Sequence, residues 1–580
     1  MNTVPVDPGQ LLRAHMWPRR SALVGLICAL ALGTVLPLLG PIIIGRFVDQ
    51  ASAGASTSEL LTIAALYLVV AAGAQGATVV RTWVASRQAW TATNQLREEM
   101  AGHALSLDIK FHGEHPPGEM IERVDGDVHA IAEFLVTFLV DILGSALLLI
   151  GTLVVLTIAN IYLGVALAIF IVVSSFFLTR VQRRAVPSAA YSRAVDARLF
   201  ADLEEHLAAA EDLRANGAGE HIMRRFHDVS GDAYRADRSA SIIGGLLVRL
   251  TNLTFTVGTA LLLAIGVALQ RNGAITVGTL LVLFQYAQLI RQPLERIIDQ
   301  LKQLQAAQAG VARAEELFAE QSSLTWRHDD DAQSLASGPL SFELRNVSFS
   351  YGDETVLHAV DLRLDAGRSL GLVGRTGSGK STITRLLLRL YDPVAGSVQV
   401  GDVDLRTVRL GDLRQRVAVV TQEVQLFRAS LRDNITLFGA HPSSDDAIVE
   451  LITELGLGRW LAARPLALDT ELGPDGSGLS AGEAQLLALG RVFLADPGLV
   501  ILDEPSSRLD PDTEVLVEAA VRRLIADRTA VLVAHRLSSL RSVDEIAVVE
   551  DGRIVEHGDR AGLVADHTSR FAHLLEAAGP

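Results

Sequence analysis

The sequence predicts a multidomain chain, a helical membrane half followed by an α/β half. Three observations predict it. Long runs without Asp, Glu, Lys or Arg are confined to the first 290 residues, short β-rich runs alternate with helical segments from about residue 341, and a glycine-rich turn joins one such run to a helix. Composition narrows the field. Of 580 residues, 49% are hydrophobic and 20% charged, and the mean hydropathy of +0.32 is too high for an ordinary soluble enzyme or a disordered chain. Cys28, the one cysteine, excludes an intrachain disulfide. A net charge of −15 argues against a nucleic-acid partner, which calls for a basic face. Lysine occurs only at Lys110, Lys302 and Lys380. The arginine bias, with abundant Ala and Gly, resembles coding in a GC-rich bacterial genome of the actinobacterial kind.

The charge-free runs are 21–45, 60–80, 142–179, 250–270 and 272–290. A helix needs about 20 apolar residues to cross ~30 Å of hydrocarbon. Four runs therefore hold one crossing each, and 142–179 holds two, turned near Asn160-Ile161-Tyr162. Gln270-Arg271-Asn272-Gly273 turns the fifth crossing into the sixth. The expectation is an all-α six-helix transmembrane domain over 1–320, a polar linker over 321–340 and an α/β domain over 341–580. Arg13, Arg19 and Arg20 precede the first crossing, Arg180, Arg183 and Arg184 follow the fourth, and Arg291, Arg296 and Lys302 follow the sixth. Basic residues stay on the cytoplasmic side, so both termini and the second domain are expected there, at a plasma (inner) membrane. The first run exceeds the apolar stretch of a cleavable signal peptide.

Two polar stretches, 81–134 and 180–249, read as helical extensions that leave the bilayer and turn back, with turns suited to docking on a cytoplasmic domain. Among ionisable residues at the crossings, Asp141, Arg249 and Arg291 read as solvated or paired with neighbours. Thr251, Asn252, Thr254, Thr256, Phe284, Gln285 and Tyr286 interrupt a lining that is otherwise apolar or small.

Two motifs carry chemistry. Gly374-Arg375-Thr376-Gly377-Ser378-Gly379-Lys380-Ser381 follows the apolar run Ser369–Val373 and precedes a helix expected over Thr382–Leu390. Glycines at this spacing let backbone N–H groups close around phosphates at a helix N-terminus. Lys380 reaches the β/γ-phosphates and Ser381 a Mg2+ ion. With lysine so scarce, a chance match between strand and helix is improbable. Leu499–Leu502 is an apolar strand ending in Asp503 and Glu504. A carboxylate pair there suits Mg2+ binding by Asp503 and orientation of the attacking water by Glu504.

With these motifs the chain resembles the ATP-binding cassette transporters over nearly its whole length, in the exporter-type half-transporter layout. The resemblance implies a P-loop nucleotide-binding domain that binds ATP and Mg2+ and hydrolyses ATP to drive transport. Gly374, Thr376, Gly377, Ser378, Gly379, Lys380, Ser381 and Thr382 then line the ATP site, and Tyr351 is similar to the aromatic that stacks on adenine. Gln422 resembles the glutamine that contacts Mg2+ beside Ser381 and Asp503, and His535 the switch histidine that senses the γ-phosphate beside catalytic Glu504. Leu479-Ser480-Ala481-Gly482-Glu483 resembles the family signature Leu-Ser-Gly-Gly-Gln, which acts in trans on the opposite cassette's nucleotide. Ser507-Arg508-Leu509-Asp510 is similar to the D-loop, with Asp510 at the dimer interface. Gly118-Glu119-Met120-Ile121-Glu122-Arg123-Val124 and Asp212-Leu213-Arg214-Ala215-Asn216-Gly217 resemble the segments at the two intracellular turns.

A dimer is therefore implied. Ala481 adds a Cβ and Glu483 a negative charge where a polyphosphate is approached, which favours a second, different half-transporter over a homodimer. The expected cargo is amphiphilic: a drug, lipid, peptide or secondary metabolite. Uptake, for example of a siderophore, on the same scaffold is the alternative. A soluble cassette ATPase acting on nucleic acid is opposed by six crossings and the negative charge.

Overall fold

The computed structural model describes residues 20–324, 332–473, 478–503, 511–534 and 537–578. Two compact units divide the chain. One comprises Met1–Ser106 and His115–Gln321, the other Leu107–Glu114 and Ser322–Pro580.

The first unit is helical throughout its described residues. Its elements are Arg20–Ser52, Thr57–Ser106, Pro117–Ala159 with two π-helical stretches, Ile161–Ala208, Ala210–Ala215, Gly219–Arg271, Val277–Leu289, Arg291–Asp299 and Leu301–Ala319. Five of these helices are long and apolar enough to cross a membrane. Thr57–Ser106 has 50 residues, about 75 Å at 1.5 Å per residue, so it runs far beyond the hydrocarbon as the polar stretches imply. The expected turns fall where the chemistry demands. Asn160 ends one helix and caps the next, its side chain accepting from the Tyr162 N–H at 2.9 Å. Asn272 and Gly273 (φ +70°) close the turn after Arg271.

The sixth expected crossing departs from a single rod. It divides at Ile290 into Val277–Leu289 and Arg291–Asp299. Pro293 has no N–H for the Leu289 carbonyl, and its ring crowds that turn, so the helix breaks there. The π-helical stretches Glu122–Asp127 and Phe138–Leu143 likewise interrupt the third crossing and its extension.

Close helix approach joins Arg20–Ser52 to Val277–Leu289. A Cβ at Gly278 would run into the Gly45 carbonyl oxygen and Asp49 Oδ2. Small residues let helix backbones meet where no hydrophobic force drives association. Asp49 then accepts the Gly278 N–H and the Thr276 hydroxyl, each at 2.7 Å, and satisfies the start of the Val277–Leu289 helix. On the polar helix extensions, Asp202 pairs with Arg225 at 2.6 Å; the hydrogen bond from Arg225 holds its carboxyl below the usual range. Asp127, almost fully buried, pairs with Arg313.

The second unit contains two sheets. β1 (Phe342–Tyr351), β2 (Glu354–Leu364), β4 (Ala395–Val400) and β5 (Val403–Asp404) form an antiparallel sheet in the order β2-β1-β4-β5. β3 (Ser369–Val373), β6 (Val417–Val420), β7 (Leu499–Asp503), β8 (Thr529–Val533), β9 (Glu545–Glu550) and β10 (Arg553–Asp559) form the second, in the order β10-β9-β3-β8-β7-β6. All its pairings are parallel except β9 with β10. Alternate residues of β7 enter two separate cores: Leu499 and Ile501 pack with Leu372 and Ile383, Val500 and Leu502 with Leu486 and Leu489. Burial on both faces is why these strands read as continuous apolar runs. The described ends of the 321–340 segment are held on this unit. Asp108 accepts from the Ser323 N–H at 2.7 Å and its hydroxyl at 2.6 Å, while Arg409 donates its N–H to Gln333 and Leu340 its own to Gly498.

Substituting Gly278→Val should lower the thermal midpoint of the detergent-solubilised protein, because overpacking at such a contact costs about 1–3 kcal/mol. An unchanged midpoint would show that the Gly45–Gly278 approach does not hold these helices together.

Candidate functional site

Right-handed crossovers in a parallel sheet gather the loops at the carboxyl ends of its strands, where ligands bind. Here that edge carries the predicted machinery. Val373 ends β3 and leads directly into Gly374. Asp503 is the last residue of β7, and Val420↔Leu502 pairing places Gln422 two residues past the end of the adjacent strand β6. Ala534 follows β8, whose Val533 pairs with Leu372 of β3 and Asp503 of β7. Glu504, Asp510 and His535 lie outside the described residues; the strands that precede Glu504 and His535 end at this edge.

The glycine-rich turn is built for an anion. Gly377 and Gly379 adopt φ of +83° and +107°, conformations that side-chain-bearing residues rarely take. Gly379 then ends the turn and the helix starts at Lys380, two residues earlier than the sequence predicts, running to Leu387. It stops short of Leu390 because Leu388 closes the last turn and Arg389 (φ +47°) is left-handed. Lys380 is buried and its ammonium donates to the Gly374 and Arg375 carbonyls at 2.7 and 3.0 Å. The Ser378 hydroxyl is buried and finds no hydrogen-bond partner among the described residues. Thr382 is buried in the first turn, whereas Thr376 and Ser381 are exposed. An orphaned buried hydroxyl, first-turn N–H groups, an exposed serine and the Asp503 carboxylate at the end of β7 form a donor set that fits a nucleotide polyphosphate and a hard divalent cation.

Tyr351 is held close to the same helix. Arg385, one turn after Ser381, donates to its hydroxyl at 3.0 Å. Phe349 and Tyr391 meet the Tyr351 ring edge-on, with centroids 4.8 and 5.3 Å away. The hydrogen bond to Tyr351 pushes the Arg385 guanidinium further up. This fixing of Tyr351 joins residues 34 apart and leaves no local sequence signal.

The Leu479–Glu483 segment starts the helix Ala481–Ala495. Ser480 caps it, accepting the Glu483 N–H at 3.2 Å, and the Glu483 carboxylate returns to accept the Ser480 N–H at 2.7 Å. This capping box corrects the expectation that Glu483 opposes a polyphosphate: the side chain is folded back on its own helix start, a role that Gln fills equally. Gly482 is required on packing grounds, since a Cβ there would collide with Thr513. Leu479 packs against the core and Ala481 is exposed. Helix geometry leaves the N–H groups of Ala481 and Gly482 without intrahelical acceptors.

Of the two turns in the long helices, Ile109–Glu114 belongs to the second unit and Ala210–Ala215 to the first. The Gly118–Val124 segment spans a short helix, Pro117–Ile121, and the start of a π-helical stretch. Burial alone would raise the Asp108 carboxyl, but hydrogen bonds from Ser323, Phe111 and Ser322 outweigh it and hold the group below its usual range. The residues singled out in the crossings separate into two groups. Asp141 pairs with Arg296 at 2.9 Å, and Arg291 pairs with Glu295 at 3.1 Å and donates to Asn252, while Arg249 is exposed. Thr254 and Thr256 bond back to their own helix, and Tyr286 is buried with its hydroxyl on the Leu38 carbonyl at 2.7 Å. Phe284 and Gln285 line a cavity to which Arg291 also contributes.

Comparison with known proteins agrees with this geometry. The profile of the ABC transporter transmembrane region matches residues 23–294, and that of the ABC transporter matches 357–507. An uncharacterized ABC transporter ATP-binding protein of Bacillus subtilis, YknV, is 29% identical over 561 residues, covering 96% of this chain and 92% of that protein. A fatty acid ABC transporter ATP-binding/permease protein of Mycobacterium bovis is 30% identical over 474 residues, 81% of this chain and 74% of that one. The structure of a bacterial Atm1-family ABC exporter with ATP bound superposes with a TM-score of 0.79 at 25% identity, covering 97% of this chain and 98% of that chain. The chain belongs to the ATP-binding cassette transporters: a membrane-embedded, multi-span helical domain and an ATP-hydrolysing cassette on one polypeptide.

Proposed function

We propose that this chain is one half of an exporter, pairing with a second half-transporter to move an amphiphilic cargo out across the plasma (inner) membrane. The observation that carries this reading is the convergence of the 374–381 turn, Asp503 and Gln422 on the carboxyl edge of β3, β7 and β6. The cassette is read as cytoplasmic, because the basic residues cluster on that side of the crossings. The mycobacterial relative is named for fatty acid, which supports an amphiphile as the class of cargo.

In this reading adenine stacks on Tyr351, held by Arg385, and the phosphates lie along Gly374–Thr382. The turn's N–H groups and Lys380 neutralise the β- and γ-phosphates, and the Ser378 hydroxyl gains the partner it lacks. Ser381, Asp503 and Gln422 would hold Mg2+, which supplies further neutralisation of phosphate charge. Glu504 orients water for in-line attack on the γ-phosphorus; the bond to the β,γ-bridging oxygen breaks and ADP and phosphate leave. His535 meets the γ-phosphate. The second subunit's signature segment covers the side of the γ-phosphate that this cassette leaves open, and Leu479–Glu483 does the same in return. With Glu483 spent on its capping box, the preference for a non-identical partner rests on the exposed methyl of Ala481.

Glu504→Gln should reduce hydrolysis at least about a hundredfold while ATP still binds, since the water-orienting carboxylate goes and the phosphate cradle stays. Lys380→Ala should fail earlier, at binding. Turnover within a few-fold of wild type in Glu504→Gln, or unchanged ATP affinity in Lys380→Ala by titration, would contradict these roles. Transport into inside-out vesicles, lost in both variants, is the accompanying test of direction.

Ala481→Gly should raise ATPase activity about two- to tenfold, because removing one Cβ lets the segment approach phosphate more closely. Equal activities would show that the methyl does not limit capping and would remove the preference for a heterodimer.

A further inference from the structure

The cavity that Phe284 and Gln285 line has a volume of about 820 Å³ and lies within the first unit, between the helices Arg20–Ser52, Thr57–Ser106, Val277–Leu289 and Arg291–Asp299. That volume is in the range of small-molecule sites. Its wall carries four glutamines, Gln75, Gln285, Gln288 and Gln292, and none of their carboxamides has a hydrogen-bond partner among the described residues. Gln75 falls inside the charge-free run 60–80, and Gln285 and Gln288 inside 272–290.

Polar groups at that depth must be met by protein, water or a ligand, because hydrocarbon cannot satisfy them. Thr78 on this wall is met by the Ala74 carbonyl, whereas the Tyr67 hydroxyl, like the glutamines, has no hydrogen-bond partner among the described residues. Pro41 also lines the cavity and has no N–H for the Pro37 carbonyl, so that carbonyl loses its i+4 donor at the same wall. Each carboxamide offers a donor and an acceptor in one plane. The charged lining residues, Arg291 and Glu295, are paired with each other at 3.1 Å, so the wall has no net charge.

We propose that this cavity is the cargo site and that it selects uncharged amphiphiles bearing amide groups, whose N–H and C=O the glutamines match, over anionic or cationic ones. The proposal rests on the transporter reading above and narrows its cargo. A carboxamide pairs with another amide without a charge to compensate, whereas a carboxylate or ammonium entering this wall would find no free counter-charge among the described residues.

The test uses the full chain in lipid nanodiscs and tritiated N-lauroyl-glycyl-glycinamide as probe. Saturable binding is expected, with laurate and dodecylammonium displacing it at least about tenfold less effectively than unlabelled probe. Gln285→Leu combined with Gln288→Leu should weaken binding about tenfold or more by removing two paired amides. Gln75→Leu, on a different helix, should weaken it too, and serves if the double variant does not fold. Displacement by laurate or dodecylammonium as effective as by the probe, unaltered binding in the glutamine variants, or no saturable binding would overturn the proposal. Glutamine-dependent binding without Lys380-dependent ATP hydrolysis would leave the site standing and sink the transporter reading; hydrolysis without such binding would sink the site alone.

Discussion

Anion-ready backbone at the carboxyl edge of a parallel sheet is the constraint from which the second unit follows. Parallel strands buried on both faces, as β3, β7 and β8 are, need crossover connections, and these return every functional loop to one edge. Gly377 and Gly379 allow the chain to turn there and release a helix at Lys380 with its first N–H groups directed into the turn. The same logic recurs at the start of the 481–495 helix, where a capping box satisfies the amides of Ser480 and Glu483 and leaves those of Ala481 and Gly482. Two helix starts on one cassette, each presenting first-turn N–H groups, are what a two-cassette site requires of each half.

The first unit obeys a different constraint, that polar groups in hydrocarbon need partners. Asp49 satisfies the start of one helix, Tyr286 spends its hydroxyl on a carbonyl, and Arg291 is tied to Glu295 and Asn252. Against that thrift, the glutamine wall stands out as capacity reserved for something else. Pro293 bends the sixth apolar run just beside this wall, between Gln292 and Leu294.

Much of this was legible in residue order. Ser369–Val373, Val417–Val420 and Leu499–Leu502 announced themselves as strands because burial on both faces makes them continuously apolar. The turns at Asn160 and Gly273 followed from capping and left-handed preference. What escaped the sequence reading depends on long-range packing. Arg385 meets Tyr351 across 34 residues, and Asp127 meets Arg313 across 186. The π-helical stretches have no propensity signal of their own. Ser480 and Glu483 stand at capping-box spacing and Pro293 follows the last apolar run, so both features are readable from residue order. The assignment of Leu107–Glu114 to the second unit depends on Asp108 reaching Ser323, a tertiary contact no local pattern encodes.

The central claim is that a site opened by one chain is completed by the signature segment of another. Cross-linking tests it directly. In a cysteine-free background (Cys28→Ser here), each half-transporter carries one thiol at the signature and one on the exposed face of the glycine-rich turn: Ser480→Cys and Thr376→Cys in this chain, and the matching positions in the other half where the partner is a different chain. Adding Glu504→Gln to retain nucleotide and treating the membrane-embedded assembly with a short bifunctional maleimide should give an intermolecular product that forms with ATP and is sparse without it. The account is contradicted if ATP yields no such product, or if the two thiols join only within a single chain.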